Sequence, residues 1–224
     1  MHNDIVTSVL VVLSGGQDSA TCLFWAKKHY AHVHAVTFDY GQKHRVELDC
    51  AKRLADLAPV ESYEVIDIRG TMPQSALTDN SISVMAKHSV NPSLPATFTA
   101  GRNAIFLSIA AGRAYSLGCA SLVTGVCQTD YSGYPDCRDE FIKAMSSALS
   151  AGLGTELSIL TPLMHKTKAE TWSMARELGV LDIVVNLTHT CYNGNHTKIN
   201  AWGYGCGECP ACVIRARGFR EASL

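Results

Sequence analysis

The stretch VLVVLSGGQDSATCLFWAKK sets two serines, two glycines, a glutamine and an aspartate between an apolar run and an amphipathic one. Gly15 and Gly16 let the backbone turn tightly and approach an anion. Ser14, Ser19 and the amides that open the following helix supply donors, and the helix dipole adds positive potential. A Walker-type loop would carry a lysine in this turn. Here Gln17 and Asp18 stand in its place. Asp18 repels a phosphate directly, but it suits a carboxylate that holds Mg²⁺ against phosphate oxygens.

A second chemistry lies at the other end of the chain. Four of nine cysteines gather there: Cys191 in HTCYNG, then Cys206, Cys209 and Cys212 in GCGECPAC. Four thiolates complete a tetrahedral zinc site, although a C-x2-C-x2-C run also serves iron–sulfur clusters. No fourth cysteine follows the run, which favours zinc. Four protein ligands leave no open position, so the metal is expected to be structural. Cys22, Cys50 and Cys119 fall in or beside expected helices and read as small buried apolar residues. Cys127 and Cys137 read the same way.

Between these regions, GVCQTDYSGYPDCRDEF combines Asp130 and Asp136 with Tyr131 and Tyr134 around a glycine turn. Acceptors beside aromatic faces suit a planar, nitrogen-rich heterocycle. A polar surface loop is the plainer reading of the same residues.

The elements that must position these groups alternate. Apolar runs at 9–13, 33–38, 63–68, 122–126 and 157–160 read as short buried strands. Three-and-four apolar spacing predicts helices over 19–29, 45–58, 102–117 and 138–150. Thr167-Lys-Ala-Glu170 is a capping-box pattern that opens one more helix running to Leu178, with Gly179 as its stop. Such alternation implies a mostly parallel, doubly wound α/β sheet in a three-layer αβα sandwich, with ligands beyond the carboxyl ends of the strands. The expected division is a nucleotide-binding domain at 1–186 and a zinc-binding tail at 187–224 packed on it. Residues 71–100 form a long polar insertion, either a cover for the site or inert.

Of the 224 residues 47% are apolar and 17% charged, as in an ordinary globular protein. The net charge of −1 argues against a surface dedicated to nucleic acid, although Arg215, Arg217 and Arg220 could form a local basic patch. The N-terminal residues lack the basic start of a secretory signal, and no apolar run is long enough to span a bilayer. A cytoplasmic protein without a membrane partner is therefore expected.

The string S-G-G-x-D-S resembles the pyrophosphate loop of the N-type ATP pyrophosphatases, whose members cleave ATP between the α- and β-phosphates and attach AMP to a substrate oxygen. Together with FDYGQKH, GRN at 101–103, DYSGYPDCR, TPLMHKTK, HTCYNG and GCGECPAC, it closely resembles the 7-cyano-7-deazaguanine synthase family. The resemblance covers nearly the whole chain. It implies ATP-dependent conversion of 7-carboxy-7-deazaguanine and ammonia to the nitrile, through an adenylated carboxylate, an amide and an adenylated amide. It implies ATP at Leu13, Ser14, Gly15, Gly16, Gln17, Asp18, Ser19, Ala20, Thr21, Cys22 and Leu23. Asp18, Arg102 and Lys166 are the expected catalytic residues, and Asp130, Tyr131, Tyr134, Asp136 and Arg138 the expected substrate residues. His44 and His189 are expected to be structural rather than proton carriers. One structural Zn²⁺ on Cys191, Cys206, Cys209 and Cys212, Mg²⁺ with the nucleotide, a homodimer and no stable nucleic-acid partner complete the expectation. The chain departs from the family at Thr99-Ala100, where Val-Pro usually precedes GRN, which bears on the rigidity of that turn. Two rival functions share these residues. One is a pyrophosphate-loop enzyme that amidates or thiolates a base in tRNA, and the other is a non-catalytic zinc-ribbon interaction protein.

Overall fold

A computed structural model describes residues 8–129 and 133–224. Five strands, β1 (Ser8–Val12), β2 (His32–Asp39), β3 (Ser62–Asp67), β4 (Ser121–Val123) and β5 (Ser158–Leu160), pair in parallel in the order β3-β2-β1-β4-β5. Seven α-helices flank or follow them among the described residues: α1 (Gln17–His29), α2 (Val46–Leu57), α3 (Arg102–Ser116), α4 (Asp139–Leu153), α5 (Lys168–Glu177), α6 (Leu181–Leu187) and α7 (Pro210–Glu221), with one 3-10 turn at Pro135–Cys137.

The central strand shows why the sandwich has three layers. Side chains on a strand alternate between faces, so a strand covered on both sides must be apolar throughout. In β1, Val9 and Val11 join one buried cluster with α1, α2, α5, α6 and α7, while Leu10 joins a second with α3 and α4. The chain winds from β1 through β2 to β3, then crosses back to lay β4 on the other side of β1. Ligand crevices form where the winding reverses, at the carboxyl ends of β1 and β4.

The capping box predicted at Thr167 is present. Its hydroxyl accepts from the Glu170 amide at 3.2 Å, and the Glu170 carboxylate accepts from the Thr167 amide at 2.7 Å. β4 is shorter than expected, because residues 124–127 leave the ladder to line the crevice. Gly125 is needed there: a Cβ on it would lie 3.0 Å from the backbone of Asp18 and Ser19.

The C-terminal region holds elements that apolar periodicity does not announce. A short hairpin of β6 (Ile199–Asn200) and β7 (Gly203–Tyr204) precedes α7. The buried face of α7 consists of Ala211, Cys212, Arg215, Ala216 and Gly218, residues too small or too polar to signal burial. Gly218 allows close approach to α5, since a Cβ would sit 2.5 Å from Lys168 Cγ. Arg215 corrects the expectation of a basic patch, being only 1% exposed. It donates to the carbonyls of Trp202 and Val184 and to the hydroxyls of Thr188 and Thr190, and its guanidinium stands 5.3 Å from the Trp172 ring. Arg217 is paired with Glu221. Cys191, Trp202, Cys209, Ala211, Cys212 and Ala216 belong to the same buried cluster as β1 and α1.

The segment 71–100 contains no helix or strand, yet turns and side-chain bonds hold it in place. The Ser75 and Thr99 hydroxyls meet at 2.7 Å, and the Arg102 amide donates to the Thr99 carbonyl at 3.1 Å, so the turn before GRN is anchored without proline. Among the described residues no helix is long and apolar enough to cross a membrane.

Candidate active site

The loop after β1 is shaped by its backbone. Gly15 has φ +83°, and a Cβ there would meet the Glu47 carbonyl oxygen at 2.2 Å, so α2 can approach only a residue without a side chain. The Ser14 and Ser19 hydroxyls meet at 3.0 Å, and Ser19 Oγ also accepts from the Ser14 amide. The N-cap of α1, Gly16, is extended and supplies no side-chain cap, which leaves the first amides of the helix without a side-chain acceptor.

Asp18 is met by a cation. Lys168 Nζ lies 2.9 Å from both carboxylate oxygens, with the lysine side chain only 10% exposed. The loop opens on a cavity of about 260 Å³ at the switch point, which Asp18 lines and Lys168 does not. Leu13, Ser14, Gly16, Gln17, Asp18 and Ser19 line one end of it, facing Thr124 and Gly125.

The other end is aromatic and carries two opposite charges. Phe38 stacks on Phe106 with ring centroids 4.5 Å apart, Tyr40, Tyr134 and Tyr192 stand nearby, and Leu77 of the 71–100 segment closes one side. Arg102 lines this chamber with its guanidinium 5.9 Å from the Tyr40 ring centre. Glu47 lines it too. Surrounding protein desolvates its carboxyl, which pushes its pKa up to about 7 against the opposing pull of Arg102. Burial and the neighbouring Glu47 carboxylate raise the Tyr40 phenol to about 12. His189 and Thr190 border the loop end, and the His189 amide donates to the Gly15 carbonyl at 2.9 Å.

Behind that wall, the sulfurs of Cys191, Cys206, Cys209 and Cys212 lie within 4.8 Å of one another. Cys206 and Cys212 are 3.9 Å apart, close to the edge of roughly 3.8 Å that a tetrahedron of 2.3 Å zinc–sulfur bonds demands. The Cys206 sulfur accepts from the Glu208 and Cys209 amides, as a thiolate would. Hydrogen bonds from the Cys209 and Cys212 thiols lower the Cys191 pKa far below its usual range, while Cys209 and Cys212 are raised in turn. The donor set, its spacing and its burial fit a metal ion.

A family model for queuosine biosynthesis protein QueC matches residues 8–223. The chain belongs to the QueC family. A 7-cyano-7-deazaguanine synthase of Bacteroides fragilis is 51% identical over 223 residues, covering 99% of this chain and 97% of that protein. Another of Helicobacter pylori strain Shi470 is 47% identical over 214 residues, covering 94% of each. The 7-cyano-7-deazaguanine synthase 1 of Rhodopseudomonas palustris is 47% identical over 224 residues, covering 96% and 94%.

The structure gathers part of what the QueC motifs lead one to expect. Gly15, Ala20, Thr21, Cys22 and Leu23 do not line the cavity. Gly15 packs on α2, and the other four are fully buried in the core beneath the loop. Tyr134 lines the cavity, with its hydroxyl 2.6 Å from that of Thr97. Asp136 is buried and accepts from the Asn103 amide at 3.1 Å, so this carboxylate caps the start of α3. Arg138 is half exposed beside Glu140, away from the cavity. Asp130 and Tyr131 lie outside the described residues. Lys166 does not line the cavity either, and its carbonyl accepts from Cys127 and Thr129.

Burial raises the thiols of Cys22, Cys50 and Cys119, in keeping with packed apolar groups. His44 bonds the Tyr192 carbonyl at 2.9 Å and packs on Gly194, as expected of a structural histidine.

Sequence reasoning missed Glu47, Lys168, Tyr40 and Tyr192. Lys168 stands inside the quoted motif TPLMHKTK, two residues past the lysine chosen from it. Glu47 follows FDYGQKH by three residues, at a helix start where a carboxylate is ordinary.

Proposed function

We propose that the chain converts 7-carboxy-7-deazaguanine and ammonia to 7-cyano-7-deazaguanine at the expense of ATP. What carries the reading, in a chain that matches the QueC family from residue 8 to 223, is one cavity. It joins an anion-binding loop to an aromatic chamber bearing Arg102 and Glu47.

A carboxylate resists ammonia until one of its oxygens becomes a leaving group. The α1 amides, Ser14, Ser19 and Lys168 stabilise the negative charge that builds as pyrophosphate departs, while AMP is transferred to the substrate oxygen. Arg102 holds the carboxylate of the base, and the stacked aromatic wall orients its plane. The same groups then act on the amide oxygen, after which loss of AMP leaves the nitrile. Asp18 is the carboxylate that would hold Mg²⁺ beside the phosphate loop, where the ion would supply charge neutralisation.

Cys191, Cys206, Cys209 and Cys212 would hold Zn²⁺, which would tie the 187–224 tail to the 1–186 body beside the wall that carries Tyr192. The near-neutral charge and the burial of Arg215 support free-base chemistry over a stable tRNA partner. A cytoplasmic homodimer completes the proposal. Mass spectrometry after incubation with ATP, Mg²⁺, ammonia and the 7-carboxy base tests it. The nitrile with AMP and pyrophosphate is expected, whereas ADP or an unchanged base would reject it.

A further inference from the structure

We infer that Glu47 is the proton acceptor for the nitrogen in both bond-forming stages of this reaction. The inference rests on the nitrile-forming function proposed above.

The argument begins with the carboxylates that reach the cavity. Among the described lining residues there are two, Asp18 and Glu47. Asp18 accepts from Lys168 through both oxygens and belongs to the phosphate end of the cavity, where it would hold Mg²⁺. Glu47 has no such partner in the cavity wall. The groups facing it are Arg102 from α3, the phenols of Tyr40 and Tyr192, and the Cys50 thiol one turn along its own helix. Both phenols are raised, Tyr40 to about 12, so neither takes a proton at neutral pH. The Glu47 backbone is placed against the phosphate loop, because its carbonyl packs on Gly15, where a Cβ would lie 2.2 Å from it. A carboxyl that ionises near neutrality is matched to general-base work in a way that an exposed glutamate is not.

The chemistry requires such a group twice. When ammonia attacks the acyl adenylate, a carbon–nitrogen bond forms and one N–H proton passes to Glu47. The carbon–oxygen bond to AMP then breaks, AMP leaves with the electron pair, and Glu47 releases its proton to water. In the second stage ATP attaches AMP to the amide oxygen and pyrophosphate departs. Two N–H protons must then leave before the carbon–nitrogen triple bond is complete. Solvent takes the first from the charged imidate, and Glu47 takes the second as the carbon–oxygen bond breaks.

The test compares wild type with Glu47→Gln and Glu47→Asp. Glu47→Gln is expected to fold and to release pyrophosphate in a single turnover without ammonia to the wild-type extent. Its kcat for nitrile should fall about 10²–10⁴-fold with KM for the base little changed. The rising limb of the kcat–pH profile near pH 7 should vanish. Hydroxylamine, whose attack needs less help in losing a proton, should restore much of the first-stage rate.

A kcat unchanged in Glu47→Gln, a pH limb that persists, or a defect confined to KM would overturn the inference. If Glu47→Gln failed to fold, Glu47→Asp would decide. A reduced kcat with a displaced limb supports the assignment, and an unaltered profile removes it. Absence of pyrophosphate release from wild type with the 7-carboxy base would instead refute the function itself, which separates the two failures.

Discussion

Lys168, the first residue of α5, reaches the Asp18 carboxylate at the start of α1 with 2.9 Å to each oxygen, across 150 positions of sequence. A lysine ammonium thus meets the loop's aspartate from another helix. Its capping box fixes where α5 begins, and therefore where the ammonium projects.

Lys168→Met should remain folded and lose pyrophosphate release about 10²–10³-fold, the usual effect of removing one group that stabilises developing charge. Asp18→Asn should lose a comparable factor. Because the two groups act as a pair, the double variant should be little worse than either alone, with a coupling of about 3–4 kcal/mol, the size of one single loss. Additive losses in a double-mutant cycle would mean that the pair does not act as a unit.

Gly15→Ala combines a left-handed backbone with a 2.2 Å approach to the Glu47 carbonyl. A destabilisation of about 2 kcal/mol or more is expected by urea titration, since both the φ penalty and the displacement of α2 contribute. Stability within experimental scatter of wild type would show that the loop rearranges freely.

Glu47 carries a folded pKa near 7 against an ordinary value of 4.5, which works against stability. Between these two pH values the folded state holds a proton that the unfolded state has lost, so stability falls as pH rises through this window. Above pH 7 the penalty is constant at up to about 3 kcal/mol. Glu47→Gln should therefore melt higher than wild type at pH 8, and the two curves should converge towards pH 4. Parallel curves across the range would sink this account.

Cys209→Ser should lose the metal and melt earlier, because binding energy at a site made by folding is folding energy. At this chain length each kcal/mol lost lowers Tm by about 2–4 °C. Metal analysis beside calorimetry checks it, and metal loss with unchanged melting would make the site dispensable for the fold.

The parts of the molecule that sequence made legible share one property: their cause is local. SVLVV is apolar on both faces because β1 is buried on both, and the Thr167 and Glu170 side chains satisfy amides within four residues of each other. Cys206, Cys209 and Cys212 sit in one short loop, and Ser14, Gly15 and Gly16 in one turn. Where the cause is a distant contact, the reading stops short. The buried face of α7 shows no periodicity, because Arg215 is satisfied by acceptors from α6, the loop after it and the hairpin. Nothing in the sequence around Asp136 shows the Asn103 amide that donates to it from 33 residues away.

By itself, then, the sequence determined the strand–helix alternation, the glycine turn, the four-cysteine set that could hold a metal and the family. Each depends on residue types at short spacing. Only the tertiary structure decided which cation meets Asp18 and which carboxylate enters the cavity. Both depend on distance between chain segments, and the ionisation of Glu47 depends on the water that its neighbours exclude. Neither distance nor desolvation is a property of any one stretch of residues.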